Sequence, residues 1–137
     1  MNLLIDERKR EFPKITKLGT DMSVPDEYLG TVMEIYRSEL AANNLESVIF
    51  GHIGDNHVHV NILPRNMEEY EGGESLYHSW ANRVIQLGGS ISAEHGIGKI
   101  KVPFLEMMFG KEGVSEMKNL KLLFDPDQLL NTGNLFK

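Results

Sequence analysis

The spacing of apolar and polar positions changes several times along this chain, and each change marks an element. Residues 1–12 are charged and helix-compatible, and Pro13 closes them. Residues 15–22 are short and mixed, and they predict a strand leading into Ser23-Val24-Pro25. Pro25, Asp26 and Glu27 make a helix start, because proline fits the first turn and acids suit the positive end of the helix dipole. Leu29, Val32, Met33, Ile35, Tyr36 and Leu40 then recur at three and four, so an amphipathic helix runs to Ala42 and stops at Asn43-Asn44.

Residues 47–53 and 57–63 read as two strands. In the second, Val58, Val60 and Ile62 share one face, and His57, His59 and Asn61 share the other. If Asp55-Asn56 is a two-residue turn, Gly54 pairs with His57, and His52 falls opposite His59 with β-carbons roughly 5 Å apart. A three-residue loop would put those two histidines on opposite sides. Residues 65–73 form a polar connection, and residues 74–87 a second amphipathic helix with Leu76, Trp80, Val84 and Leu87 on its core stripe. Gly88-Gly89 ends it. Two more helices are expected over 99–109 and 114–124, broken at Gly110 and Gly113, before a turn-rich tail. This order predicts an α+β fold: an antiparallel sheet with helices packed on one face, resembling half of a ferredoxin-like unit, followed by C-terminal helices. A sheet of three strands has open edges, so the chain is expected to form an oligomer or belong to a larger protein.

With 137 residues, 41% of them hydrophobic, the chain suits one domain over 1–137. The net charge of −6, with no basic run beyond Arg8-Lys9-Arg10, argues against a nucleic-acid face or an anionic membrane surface. No cysteine is present, which removes disulfides and thiolate metal sites and makes a reducing, cytoplasmic location the default. No apolar stretch approaches the ~20 residues that span a bilayer.

Chemistry concentrates in two glycine-bounded stretches, GHIGDNHVH (Gly51 to His59) and SAEHGIG (Ser92 to Gly98), which hold four of the five histidines. Burying such groups costs several kcal/mol unless each is paired or bound. They are expected to form one site. His52 and His59, with Glu94 brought in from the second stretch, make a nitrogen and oxygen ligand set for a divalent metal such as zinc, manganese or iron. The plain alternative is a cross-strand polar pair on a solvated sheet. His95 is a candidate acid–base, against the alternative of a loop histidine bonded to backbone. His57, on the face of His59, is either an outer partner of the site or a fourth ligand. His78 is expected at the surface and Asp55 in a turn. Gly96-Ile97-Gly98 fits no phosphate-loop pattern.

GHIGDNHVHVN, SAEHGIGKIK and the closing FDPDQLLNTGNLF, together with TDMSVP at Thr20 to Pro25, closely resemble the C-terminal cap of FAD-linked 2-hydroxyacid dehydrogenases and oxidases. This is the D-lactate dehydrogenase, D-2-hydroxyglutarate dehydrogenase and glycolate oxidase group of the vanillyl-alcohol oxidase superfamily. By position, the resemblance implies metal ligation by His52, His59 and Glu94, proton abstraction by His95, substrate contact by Asn61 and a place near the flavin for Asn131. It implies FAD bound mostly by a separate domain or partner chain, a small 2-hydroxyacid substrate, and oxidation to the 2-oxoacid. That domain is expected to be absent from this chain, which would then resemble a split or truncated piece. A non-catalytic metal-binding module or an inactive remnant are the alternatives. The chain departs from the family pattern in three ways. Asn56-His57 stand where relatives carry Gly-Asn, Gly19 stands where many carry lysine, and the family's substrate arginine is not matched by position, Arg8 and Arg10 being the candidates.

Overall fold

A computed structural model describes residues 2–136. Its backbone divides into two compact units, one ending at Ala93 and the other beginning at Glu94.

The first unit is built on a central strand. Helix α1 (Asn2–Arg8) precedes strands β1 (Leu18–Gly19) and β2 (Met22–Ser23), a short 3-10 turn (Asp26–Tyr28) and helix α2 (Leu29–Ala42). Strands β3 (Ser47–His52) and β4 (His57–Ile62) form a hairpin, and helix α3 (Met67–Gln86) follows. β4 pairs antiparallel with β3 on one side and with β1 and β2 on the other. Every residue of β4 is buried.

The two faces of β4 meet different chemistry. On one face Val60 and Ile62 join Met22, Tyr36, Trp80, Val84 and Ile91 in the core. The Tyr36 and Trp80 rings lie 4.7 Å apart, and the Tyr36 hydroxyl donates to Met22 Sδ at 3.5 Å. Burial pushes the Tyr36 phenol well up, helped by Tyr77. A satellite cluster of Ile5, Ile15 and Leu63 ties α1 to the end of β4. There Arg8 donates to the Leu63 and Pro64 carbonyls and pairs with Glu46, so its guanidinium is committed to fixing chain.

Helix α3 begins seven residues earlier than the apolar stripe predicts and runs through Gly72-Gly73. Asn66 caps it by accepting from Glu69 N–H at 2.9 Å, while the Glu69 carboxylate accepts from Arg65 N–H and Nε. The Arg65 hydrogen bond holds the Glu69 carboxyl below its usual range. Gly73 is buried because the helix backbone lies against the sheet: a β-carbon there would sit 2.8 Å from Leu18 Cδ1 and 3.5 Å from Ile62. At Gly72 a β-carbon would meet nothing within 4 Å. Adjacent substitutions should therefore differ in sign. Gly72→Ala should raise stability by up to ~1 kcal/mol through helix propensity. Gly73→Ala should lower it by about 1–3 kcal/mol through overpacking. Urea unfolding midpoints at constant m-value check both.

The second unit contains helix α4 (Val102–Phe124), interrupted at Gly110, where φ is 68° and ψ 171°. Of the two breaks expected from sequence only Gly110 is one, and Gly113 stays helical. Phe104 and Leu105 are buried, and the turn-rich tail carries left-handed backbone at Gln128, Asn131, Gly133 and Leu135. Asp125 organises that tail by accepting from the Leu129 and Leu130 amides at 2.8 and 3.1 Å and pairing with Lys121. The Lys121 ammonium first, and those amides after it, hold the Asp125 carboxyl below its usual range, against the effect of burial. A depressed folded-state pKa gives stability that is present above the ordinary aspartate value of ~3.9 and lost as pH falls through the folded value. Hydrogen exchange should therefore show Leu129 and Leu130 amide protection persisting at pH 5 and disappearing in stronger acid. Asp125→Ala should abolish it throughout. Among the described residues, no helix is long and apolar enough to cross a membrane.

Candidate metal centre

The second face of β4 carries His57, His59 and Asn61, with 4%, 5% and 2% of their surface exposed. The way β1 and β2 meet β4 explains how an imidazole is held there. Leu18 pairs with Ile62 and Gly19 with Asn61, then Met22 with Val58 and Ser23 with His57, so the register is continuous across the gap at Thr20-Asp21. In that gap Thr20 N–H still donates to the Val60 carbonyl at 2.9 Å. Val60 N–H, however, donates to Thr20 Oγ1 at 2.9 Å. The Thr20 hydroxyl thus replaces its own carbonyl in the ladder. The released carbonyl accepts from His59 Nδ1 at 2.9 Å. A carbonyl can only accept, so Nδ1 carries a proton, and in the neutral ring the lone pair a metal needs is then on Nε2.

Asp21, 1% exposed, accepts at Oδ1 from His57 Nε2 at 3.0 Å and at Oδ2 from Ser92 Oγ at 3.4 Å. The same carboxylate, after burial, helps push the Tyr77 phenol up to about 12. Neither Thr20 nor Asp21 stood out as a site residue in the sequence. A buried acid needs a partner, but nothing in the mixed segment around Asp21 marks it as buried.

The hairpin differs from the two-residue turn. Ile53–Asp55 is a 3-10 turn, Asn56 takes φ 49°, and His52 pairs with His57 while Phe50 pairs with His59. The loop is two residues longer than expected, so the register moves by two and the side-chain face is kept. His52 and His59 are consequently diagonal neighbours, with ring centroids 6.2 Å apart. His57 lies 5.5 Å from His52 and 4.3 Å from His59 by the same measure. Each of the three imidazoles offers a ring nitrogen within 4.8 Å of the others. His52 is exposed, and Phe50 lies against His59 with centroids 5.2 Å apart.

Next in the same row, Asn61 has a buried Nδ2 with no hydrogen-bond partner. Its Oδ1 lies 2.6 Å from where a Gly19 β-carbon would be, so any side chain at position 19 would displace the amide. His78 is exposed on α3, as expected.

The second stretch begins where Ser90–Ala93 runs beside β2. Ser23 and Ser90 exchange backbone hydrogen bonds at 2.9 Å, and Ala93 N–H donates to the Asp21 carbonyl at 3.0 Å. Glu94 and His95 follow directly in the second unit, with His95 Nε2 3.2 Å from Glu94 Oε1. Within that unit Asn131, at φ 47°, lines a cleft with Lys118, Lys121, Gln128 and Asn134.

Comparison with known proteins shows the family. The family described as FAD linked oxidases, C-terminal domain, matches residues 3–135. The glycolate oxidase subunit GlcD of Bacillus subtilis is 36% identical over 125 residues, covering 90% of this chain and 27% of that protein. A mitochondrial D-lactate dehydrogenase [cytochrome] of Arabidopsis thaliana is 31% identical, covering 85% of this chain and 21% of its own length. A D-2-hydroxyglutarate dehydrogenase of Stutzerimonas stutzeri is 38% identical over 97 residues, 68% of this chain and 21% of that protein. The chain thus spans between a fifth and just over a quarter of these relatives. A match over nearly every residue, with both histidine stretches inside it, makes this chain a member of the FAD-linked oxidase C-terminal domain family.

Proposed function

We propose that the chain is the substrate- and metal-binding cap of a flavin-dependent 2-hydroxyacid dehydrogenase, of the D-lactate, glycolate or D-2-hydroxyglutarate type. On this reading an FAD-binding domain or partner chain completes the enzyme, which oxidises the hydroxyacid to a 2-oxoacid. The observation that carries it is Asn61 Nδ2, a buried donor with no acceptor in the row that also holds His59. An orphaned donor costs about 1–3 kcal/mol, which a ligand oxygen would recover.

His52, His59 and Glu94 would hold the divalent metal. The donor types fit, two imidazole nitrogens and a carboxylate oxygen suiting a divalent metal, and the Thr20 carbonyl orients the His59 ring. When bound, the metal supplies positive charge that lowers a hydroxyl pKa, and FAD supplies the two-electron acceptor. Asn61 Nδ2 donates to a substrate oxygen, and the buried face of β4 keeps water from that contact. His95 accepts the hydroxyl proton at a ring nitrogen, with Glu94 Oε1 beside it to orient the imidazole. Asn131 is the chain's contribution near the flavin.

Calorimetric titration of the zinc-loaded or manganese-loaded chain tests the reading. D-Lactate, glycolate or D-2-hydroxyglutarate should bind only when metal is present, and Asn61→Ala should weaken binding by roughly tenfold or more. Metal uptake without hydroxyacid binding would instead identify a non-catalytic metal module.

A further inference from the structure

We propose that His57 is itself a metal ligand, so that the β3–β4 hairpin presents three imidazoles to one ion. The inference rests on the reading above that a metal sits at His52 and His59. Three observations converge on it. His57 is buried, and its Nε2 donates to the carboxylate of Asp21, which is buried too. A carboxylate behind an imidazole is the arrangement that fixes the tautomer and raises the basicity of a metal-bound histidine. With the proton on Nε2, the lone pair is on Nδ1, and among the described residues Nδ1 makes no hydrogen bond. Finally, the register puts His52 directly across from His57, and a ring nitrogen of each of the three histidines lies within 4.8 Å of the others.

Metal–nitrogen bonds of ~2.0–2.1 Å need donor nitrogens closer together than that, a distance side-chain rotation can close. Two anchors of different kinds hold the buried pair: the Thr20 carbonyl fixes His59 and the Asp21 carboxylate fixes His57. A donor set with three neutral imidazoles also narrows the metal, favouring zinc, cobalt, nickel or copper over manganese.

Long-range proton–nitrogen NMR of the 15N-labelled full chain, titrated with Zn²⁺, reads the ligands without a variant. One equivalent should shift ring nitrogens of His52, His57 and His59, with Nδ1 the shifted atom of His57. His57→Asn keeps an amide donor for Asp21 and should weaken Zn²⁺ by more than 100-fold, beyond the 10–100-fold that losing an outer partner costs. Asp21→Asn should stay inside that outer-partner range. Zinc bound with the His57 ring silent, or a His57→Asn loss of 100-fold or less, overturns the inference and leaves the His52/His59 site standing. A wild-type chain that takes up no zinc overturns both.

Discussion

If the chain works with an FAD-binding domain as proposed, His95→Ala in that assembled enzyme should lower turnover by about 10²- to 10⁴-fold while leaving metal content unchanged. Glu94→Ala should lose metal and turnover together. The two residues are neighbours in sequence with Glu94 Oε1 3.2 Å from His95 Nε2, so both variants remove one member of the same contact. A merely structural contact would give the two variants the same phenotype. The proposed roles predict different ones, because a carboxylate ligand holds charge in place whereas an imidazole carries a proton. Elemental analysis beside steady-state kinetics separates them. Metal released by His95→Ala and retained by Glu94→Ala would require the roles to be exchanged.

What the sequence shows of this site depends on which interactions repeat along the chain. Alternation in β4 is a period-two signal, and it placed Val58, Val60 and Ile62 on the core face and His57, His59 and Asn61 on the other. The hairpin loop has no such period. Asn56 takes the left-handed conformation its type allows, but Asp55 falls in a 3-10 turn, and the pairing moved from His52–His59 to His52–His57. The parity of that shift preserved the face, and so the candidate ligands. The start of α3 was missed because glycine is read as a breaker, whereas Gly73 serves close helix–sheet approach and Asn66 with Glu69 supplies the cap. Thr20 and Asp21 were out of reach for a different reason. Their partners are 36 to 40 residues away, and a hydroxyl standing in for a carbonyl leaves no local pattern.

Trp80→Ala should destabilise the first unit by about 3–5 kcal/mol, a large part of the ~5–15 kcal/mol that holds a typical domain. Trp80 is fully buried on α3, its ring 4.7 Å from Tyr36 on α2, and its Nε1–H donates to Glu39 Oε2 at 2.8 Å. Truncation opens a cavity between the two helices that cover the sheet, and it leaves the Glu39 carboxylate with Arg83, 2.6 Å away, as its remaining partner. Trp80→Phe separates these effects. It removes the Nε1–H together with only part of the ring, so the cavity is smaller and the cost should be nearer 1.5–3 kcal/mol, the range for losing a hydrogen bond to a charged group. Trp80 is the chain's single tryptophan, so urea unfolding must be followed by far-ultraviolet circular dichroism and not by fluorescence. Because α3 lies against Ile62 on the β4 face opposite His57 and His59, loosening that packing should also reach the imidazoles. Trp80→Ala should then weaken zinc binding although the residue offers the metal no atom, and Trp80→Phe should leave zinc binding near wild type. Equal zinc affinity in all three proteins would show that the hairpin holds its imidazoles without the helix layer behind it.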